Sequence, residues 1–263
     1  MIIEQIWTGN AYRNFNYLIA CPETGEALAI DPLDARRCAQ RASELGVQIT
    51  TILNTHHHGD HIGGNAALIE RTGATLYAHA DAVARIPDVD RTVVAGDTIT
   101  IGRLAPLRCL DTPGHTMSHI CLLADGEQPA LFSGDTLFNA GAGNCHNGGH
   151  PDALYATFRD QISQLPKTTR LYPGHEYLAN NLRFTLALEP DNNAAAALLK
   201  RIEKQDPNDA HVTTLAEEAT FNTFLRLDSA SLLTTLRQRF PELGTQPSRR
   251  AVFLKLRELR NDW

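Results

Sequence analysis

One short stretch constrains this chain more than any other: Thr55-His56-His57-His58-Gly59-Asp60-His61. It gathers four side chains of metal-binding type, His56, His58, Asp60 and His61, into a single loop. Ile49 to Asn54, just before it, is β-branched and apolar and reads as a buried strand. Ile62 to Glu70, just after it, reads as the start of a helix. The histidines therefore sit where a strand hands over to a helix, which is where open α/β sheets place their ligands. Alternate side chains of an extended loop point the same way. His56 and His58 can thus grip one ion, while Asp60 and His61 follow too closely to finish the same site and reach more naturally for a second.

The frame around this loop is alternately strand and helix up to about residue 177. Strands are predicted over Ile2–Trp7, Phe15–Ala20, Ala27–Ile30, Thr75–Ala78, Ile120–Leu123, Ala130–Phe132 and Thr169–Tyr172, with a β-pair over Asp97–Ile101 and Leu104–Leu110 turning at Gly102. A helix over Ala35–Leu45 has Asp34 to cap it and Gly46 to stop it. A second is expected over Ala153–Leu165, and Ala84–Ala95 reads as an irregular loop. From Leu178 the strand signals vanish. Helical patterns follow over Leu178–Leu188, Ala194–Lys204, Leu215–Glu218, Ala230–Phe240 and Arg249–Arg260, separated by turn signals such as Asp206-Pro207-Asn208. The reading is an α/β domain over 1–177 and an all-helical domain over 178–263, within the size range of one large or two unequal units.

Composition narrows the function classes. The 43% hydrophobic and 21% charged content is that of a globular protein, and a net charge of −6 argues against nucleic-acid binding. No apolar run is long enough to span a bilayer, so no membrane partner is expected, and Met1–Trp7 reads as a strand rather than a secretory signal. The five cysteines are scattered, with no CxxC pair, as in a reduced, cytoplasmic protein.

Three further donors stand at the ends of predicted strands, each directly after a glycine: His115 in Pro113-Gly114-His115, Asp135 in Ser133-Gly134-Asp135 and His175 in Pro173-Gly174-His175. Together they give seven donors for two divalent ions: His56, His58 and His115 for one, Asp60, His61 and His175 for the other, with Asp135 bridging. Imidazole and carboxylate suit zinc first, with iron or manganese open. Two adjacent ions generate a nucleophile from water at neutral pH, which is a hydrolase's equipment. Asp60 and Asp135 are the candidate catalytic carboxylates. Of the other histidines, only His146 is a pocket candidate, in the glycine-rich stretch Ala140–Gly149 that follows Asp135 and is expected to wall the pocket.

These residues resemble the metallo-β-lactamase superfamily, whose signature is a His-x-His-x-Asp-His loop with later His, Asp and His ligands. Within it the chain is most similar to the glyoxalase II, or hydroxyacylglutathione hydrolase, family. The likeness extends from Thr55–Gly64, Thr112–Thr116, Ser133–Gly143 and Tyr172–Tyr177 to Asn181–Pro190, Asn222–Arg226 and Phe253–Asp262 in the helical tail. It implies an αββα sandwich of metallo-β-lactamase type with a C-terminal all-helical domain, a dinuclear metal centre, and hydrolysis of S-D-lactoylglutathione to glutathione and D-lactate. It also implies a glutathione-thioester substrate held by the positions of Asn144, His146, Tyr177, Arg257 and Arg260. Arg257 and Arg260, three apart on a helix, share a face and can clamp a carboxylate. The chain departs from the family at Asn144 and His146, where the family has a basic residue and a tyrosine. The superfamily carries alternatives: a hydrolase of another acyl-thioester or a lactone, or a mononuclear iron persulfide dioxygenase, which resembles the catalytic domain without the tail. A non-catalytic metal-binding protein on the same fold is expected to have a damaged donor set, and here all seven positions are intact.

Overall fold

The computed structural model describes residues 1–263. Two sheets lie face to face between helical layers. The first sheet has six strands in sequence order: β1 (Ile2–Trp7), β2 (Phe15–Ala20), β3 (Glu26–Ile30), β4 (Gln48–Leu53), β5 (Thr75–His79) and β6 (Arg91–Val93). β2 is antiparallel to both β1 and β3, and the pairings from β3 to β6 are parallel. The second sheet takes in β7 (Thr98–Ile99), β8 (Leu107–Asp111), β9 (Ile120–Ala124), β10 (Ala130–Gly134) and β13 (Arg170–Pro173), in the order β13-β10-β9-β8-β7. Between β10 and β13 in the chain, β11 (Leu137–Phe138) and β12 (Gly141–Ala142) form a small separate hairpin.

Period-two alternation explains how each strand serves two cores at once. In β2, Phe15, Tyr17 and Ile19 enter the core between the sheets, while Leu18 and Ala20 face the outer helices. In β9, Ile120, Leu122 and Ala124 face inward and Cys121 and Leu123 outward. Sheets covered on both faces need continuous apolar strands, and both of these strands are buried throughout. Tyr17, Phe132 and Tyr172 fill the centre of the sandwich, with Phe132 stacked on Tyr172 at 5.0 Å and edge-on to Tyr17 at 5.4 Å.

The outer face of the first sheet is covered by α1 (Ala35–Leu45) and α3 (Asn65–Thr72), through Cys38, Ala42 and Leu68. Asp34 caps α1 by accepting from the Arg37 N–H, and Gly46, in the left-handed region, closes it. The second sheet's outer face is covered by α4 (Pro151–Asp160) and by helices from beyond residue 177: α5 (Leu178–Leu188), α7 (Leu215–Phe221), α8 (Ala230–Arg239) and α9 (Arg249–Asn261). Leu131 and Leu171 share one cluster with Phe184, Leu232 and Phe253, so the helical tail closes the sandwich. The remaining tail helix, α6 (Asn193–Ile202), packs with α5 through Leu182 and Leu198. The arrangement is the αββα order with a helical C-terminus that the resemblance implies.

The differences from the sequence reading are local. Ala84–Ala95 was expected to be irregular, yet it contains β6, an edge strand too short to show alternation, with only Val93 buried. The pair around Gly102 forms as β7 and β8, but β7 shrinks to Thr98–Ile99. The helix expected over Ala153–Leu165 starts at Pro151, whose fixed φ suits a first turn, and ends at Asp160 with a 3₁₀ turn after it. Phe132 is fully buried between two aromatic rings. Phe132→Ala is therefore expected to cost about 3–5 kcal/mol of stability, read as a shift in the denaturant midpoint at unchanged slope.

Candidate metal centre

The seven donors converge at one end of the sandwich. β4 delivers Asn54 and Thr55, and the chain then turns through His56–His58 into the single-turn helix α2 (Gly59–Ile62), which carries Asp60 and His61. His115 follows β8, Asp135 follows β10 and His175 follows β13. Glycine before Asp135 is dictated by space and by φ. Gly134 stands at φ +45°, and a Cβ there would lie 2.6 Å from Thr55 Oγ1 and 2.7 Å from His119 Nε2. A Cβ at Gly174 would collide with Asp135 Oδ1.

The donors fall into two groups, each with its coordinating atoms within 4.8 Å of one another: His56 with His58 and His115, and Asp60 with His61 and His175. This is the division expected from the sequence. Asp135 stands between them, with Oδ2 3.5 Å from His115 Nε2 and 3.2 Å from His175 Nε2, and Oδ1 3.4 Å from His61 Nε2. Asp60 Oδ2 lies 3.5 Å from His175 Nε2 and accepts from Asn14 Nδ2 at 3.2 Å.

What each imidazole does with its other nitrogen fixes the chemistry. His115 Nδ1 faces the Asn144 carbonyl at 2.7 Å, His175 Nδ1 the Tyr12 carbonyl at 2.7 Å, and His58 Nε2 the Asn147 carbonyl at 3.0 Å. A carbonyl only accepts, so each of these nitrogens carries the proton and donates. His61 Nδ1 donates to Asp31 Oδ2 at 2.9 Å. The Thr55 hydroxyl donates to the same carboxylate oxygen at 2.6 Å, so it must accept from His56 Nδ1 at 3.0 Å. In the neutral rings the inward nitrogens are left with lone pairs. They face one another at close range: His56 Nε2 to His58 Nδ1 is 3.1 Å, His58 Nδ1 to His115 Nε2 is 3.0 Å, and His61 Nε2 to His175 Nε2 is 3.2 Å. A tetrahedral ion with nitrogens at about 2.0–2.1 Å would set them about 3.3 Å apart. Facing lone pairs repel unless a cation lies between them, so the residues present fit a divalent ion in each group.

In the first group burial works against a proton on two of the three rings. Burial pushes His115 down to about 4, against the pull of Asp135, and pushes His56 well below the usual histidine range, with His61 and His115 adding to it. In the second group burial lowers His61, but Asp135 and Asp31 outweigh it and raise it well above that range. A metal ion bound there would take the place of that proton. Burial works against the Asp135 carboxylate, yet His175, His61 and His115 together hold it far below the ordinary range.

Two supporting residues escaped the sequence reading. In the sequence Asp31, before Pro32, reads only as the end of a strand. It is buried, stands at φ +48°, and accepts from the Thr55 N–H at 2.8 Å as well as from the Thr55 hydroxyl and His61. Its position at the end of β3, directly beside β4 in a parallel pair, was the available signal. His119, which the sequence leaves as structural or exposed, is buried and stacked on His56, and its Nε2 accepts the Asp135 N–H at 3.1 Å.

Tyr177 stacks on His175 with ring centroids 4.8 Å apart and donates to the Tyr12 carbonyl. His146 is exposed and lines a cleft of about 340 Å³ with Cys145, Arg257 and Asn261. Asn144 turns its side chain outward while its carbonyl holds His115. Arg257 was expected to share a clamp with Arg260. Instead its Nη1 donates to the carbonyls of Ala142 and Gly143 at 2.7 and 2.8 Å, and Arg260 turns to Asn181 Oδ1 at 3.0 Å. Burial pushes the Arg257 guanidinium down to about 10.

Asp31→Asn keeps the shape but puts an amide where two donors converge. The expected outcome is a 10–100-fold loss of metal affinity, about what outer-sphere partners of metal ligands carry. Competition with a chromophoric chelator measures it, and an unchanged affinity contradicts the role.

Comparison with known proteins agrees with this geometry over the whole chain. Residues 16–175 match the metallo-β-lactamase superfamily, and residues 176–263 match the hydroxyacylglutathione hydrolase C-terminus. A hydroxyacylglutathione hydrolase from Polaromonas sp. is 64% identical and one from Nitrosococcus oceani 62%, each alignment covering 100% of both chains. Among solved structures, ETHE1 from Myxococcus xanthus superposes with a TM-score of 0.67 at 27% identity, covering 99% of this chain and 98% of that one. A di-iron-bound form of TTHA1623 gives 0.60 at 26% identity, covering 84% of this chain and 99% of that one.

Proposed function

Since this chain belongs to the hydroxyacylglutathione hydrolase family of the metallo-β-lactamase superfamily, we propose that its site hydrolyses the thioester of S-D-lactoylglutathione to glutathione and D-lactate, the hydrolytic step of methylglyoxal detoxification. The observation that carries the reading is the pairing of inward lone-pair nitrogens in two groups around one carboxylate, Asp135. When bound, two divalent ions supply a nucleophile from water at neutral pH and polarise the carbonyl under attack. We assign zinc first, with iron or manganese admitted by the same donors.

The chain's own groups do the rest. His56, His58 and His115 would hold one ion, and Asp60, His61 and His175 the other. Asp135, fixed through its backbone by His119, lies between the two groups and would bridge the ions. Asp60, held by Asn14, is the carboxylate best placed to orient the attacking water. Tyr177, stacked on His175, is the aromatic group placed to pack against the thiol portion of the substrate. Residues 1–177 carry the metal centre and 178–263 supply the far substrate contacts, a division of roles rather than of cores. Five free cysteines accord with a reducing, cytoplasmic setting.

Hydrolysis of S-D-lactoylglutathione by the purified protein, before and after metal removal, tests the reading. Stripping the ions is expected to abolish turnover and lower the melting temperature, because binding confined to the folded state stabilises it. Returning zinc should restore both, and full activity in a metal-free sample overturns the proposal.

Arg257 is committed to loop carbonyls, so Arg260 is the better candidate for the glycine carboxylate of glutathione. Arg260→Ala is expected to raise KM by the equivalent of about 1.5–3 kcal/mol, with kcat unchanged, since that carboxylate is bound equally in ground and transition states. A thioester lacking the carboxylate should be insensitive to the change. Equal effects on both substrates would contradict the assignment.

A further inference from the structure

The segment Phe138–Gly143 links Asp135 to Asn144, whose carbonyl holds His115. It is a tight hairpin with Ala140 at φ +55°, a costly conformation for a residue with a side chain. Such a path persists only where its surroundings enforce it. Five of its six carbonyls and one N–H are held by side chains from the helical tail. The Asn222 amide donates to the Phe138 and Gly141 carbonyls, Asn181 to the Asn139 carbonyl, and Arg257 to those of Ala142 and Gly143. The Ala140 N–H donates to Glu218 Oε2 at 2.8 Å.

Glu218, on α7, is the hub of this set. It is fully buried and has no cationic partner. Its Oε2 also accepts from Asn222 at 3.0 Å, and its Oε1 accepts from Thr213 at 2.6 Å and Asn139 at 3.3 Å. All four donors are neutral, so they hold the carboxylate by geometry rather than by charge. We propose that Glu218 is a positioning residue of the metal centre: it latches the Phe138–Gly143 hairpin to the tail and so sets the aim of Asp135 and the Asn144 carbonyl. The inference rests on the roles proposed above for Asp135 and His115.

Glu218→Gln is the discriminating variant. An amide nitrogen cannot accept, so whichever way the side chain turns, one pair of donors loses its acceptor. Burial pushes the Glu218 carboxyl up to about 7, against the donors around it. The neutral amide relieves that burial, so the global melting temperature is expected to hold. Hydrogen exchange of the zinc-loaded protein should quicken about tenfold or more at 138–143 while β2 and β9 are unchanged, and kcat should fall about tenfold, the low end for partners behind a metal ligand. Thr213→Val, which removes one donor at little change of shape, should give a weaker version of the same signature and serves if Glu218→Gln does not fold. Unchanged exchange at the hairpin overturns the latch. Faster exchange with unchanged kcat overturns the positioning role, and a uniform rise in exchange with a lower melting temperature reduces Glu218 to a general structural part. If the wild-type protein does not cleave the thioester, the proposed function fails, and the exchange result still judges the latch alone.

Discussion

Everything at this site depends on keeping lone pairs pointed at one another. Left to themselves, neutral imidazoles would rotate to hydrogen-bond and the cluster would collapse. Acceptors fixed in the fold prevent this: two loop carbonyls, the Tyr12 carbonyl, the Thr55 hydroxyl and the Asp31 carboxylate each claim the outward N–H of one ring. Asp31 does the most, since a single carboxylate at positive φ orients His61 directly and His56 through Thr55. The sandwich makes this arrangement possible by ending β3, β4, β8, β10 and β13 around one opening.

The metal donors were legible because their chemistry is carried by residue type and short spacing. His56, His58, Asp60 and His61 sit in one loop, and Gly-His and Gly-Asp at strand ends announce the rest. The strands of the central sandwich were legible because both faces are covered, which demands unbroken apolar runs such as Phe15–Ala20 and Ile120–Ala124. What could not be read was whatever depends on tertiary neighbours. Asp31 looks like an ordinary strand terminator until β3 is laid beside β4. β6 is too short to carry a pattern. Glu218, in a capping-box helix with acidic residues expected in its first turn, reads as a solvated helix start although it is wholly buried.

Arg257 shows the limit of periodicity on the binding side. Spacing placed it on one face with Arg260, and the helix does form, but a face is about a third of a cylinder and two long side chains can leave it in different directions. One reaches the hairpin carbonyls and the other reaches Asn181.

The shared core of the second sheet and the tail bears on how the protein comes into being. Leu131 and Leu171 meet Phe253 and Leu256, and the hairpin beside Asp135 meets Arg257, all near the end of the chain. On the ribosome the histidine loop emerges about two hundred residues before these partners exist, at a few to twenty residues per second. Until then the outer face of the second sheet lacks the helices of the tail, and the hairpin beside Asp135 lacks the side chain that holds two of its carbonyls. The last helix thus arrives after every candidate metal donor, and the groups that hold the hairpin beside Asp135 are among the last to be synthesised.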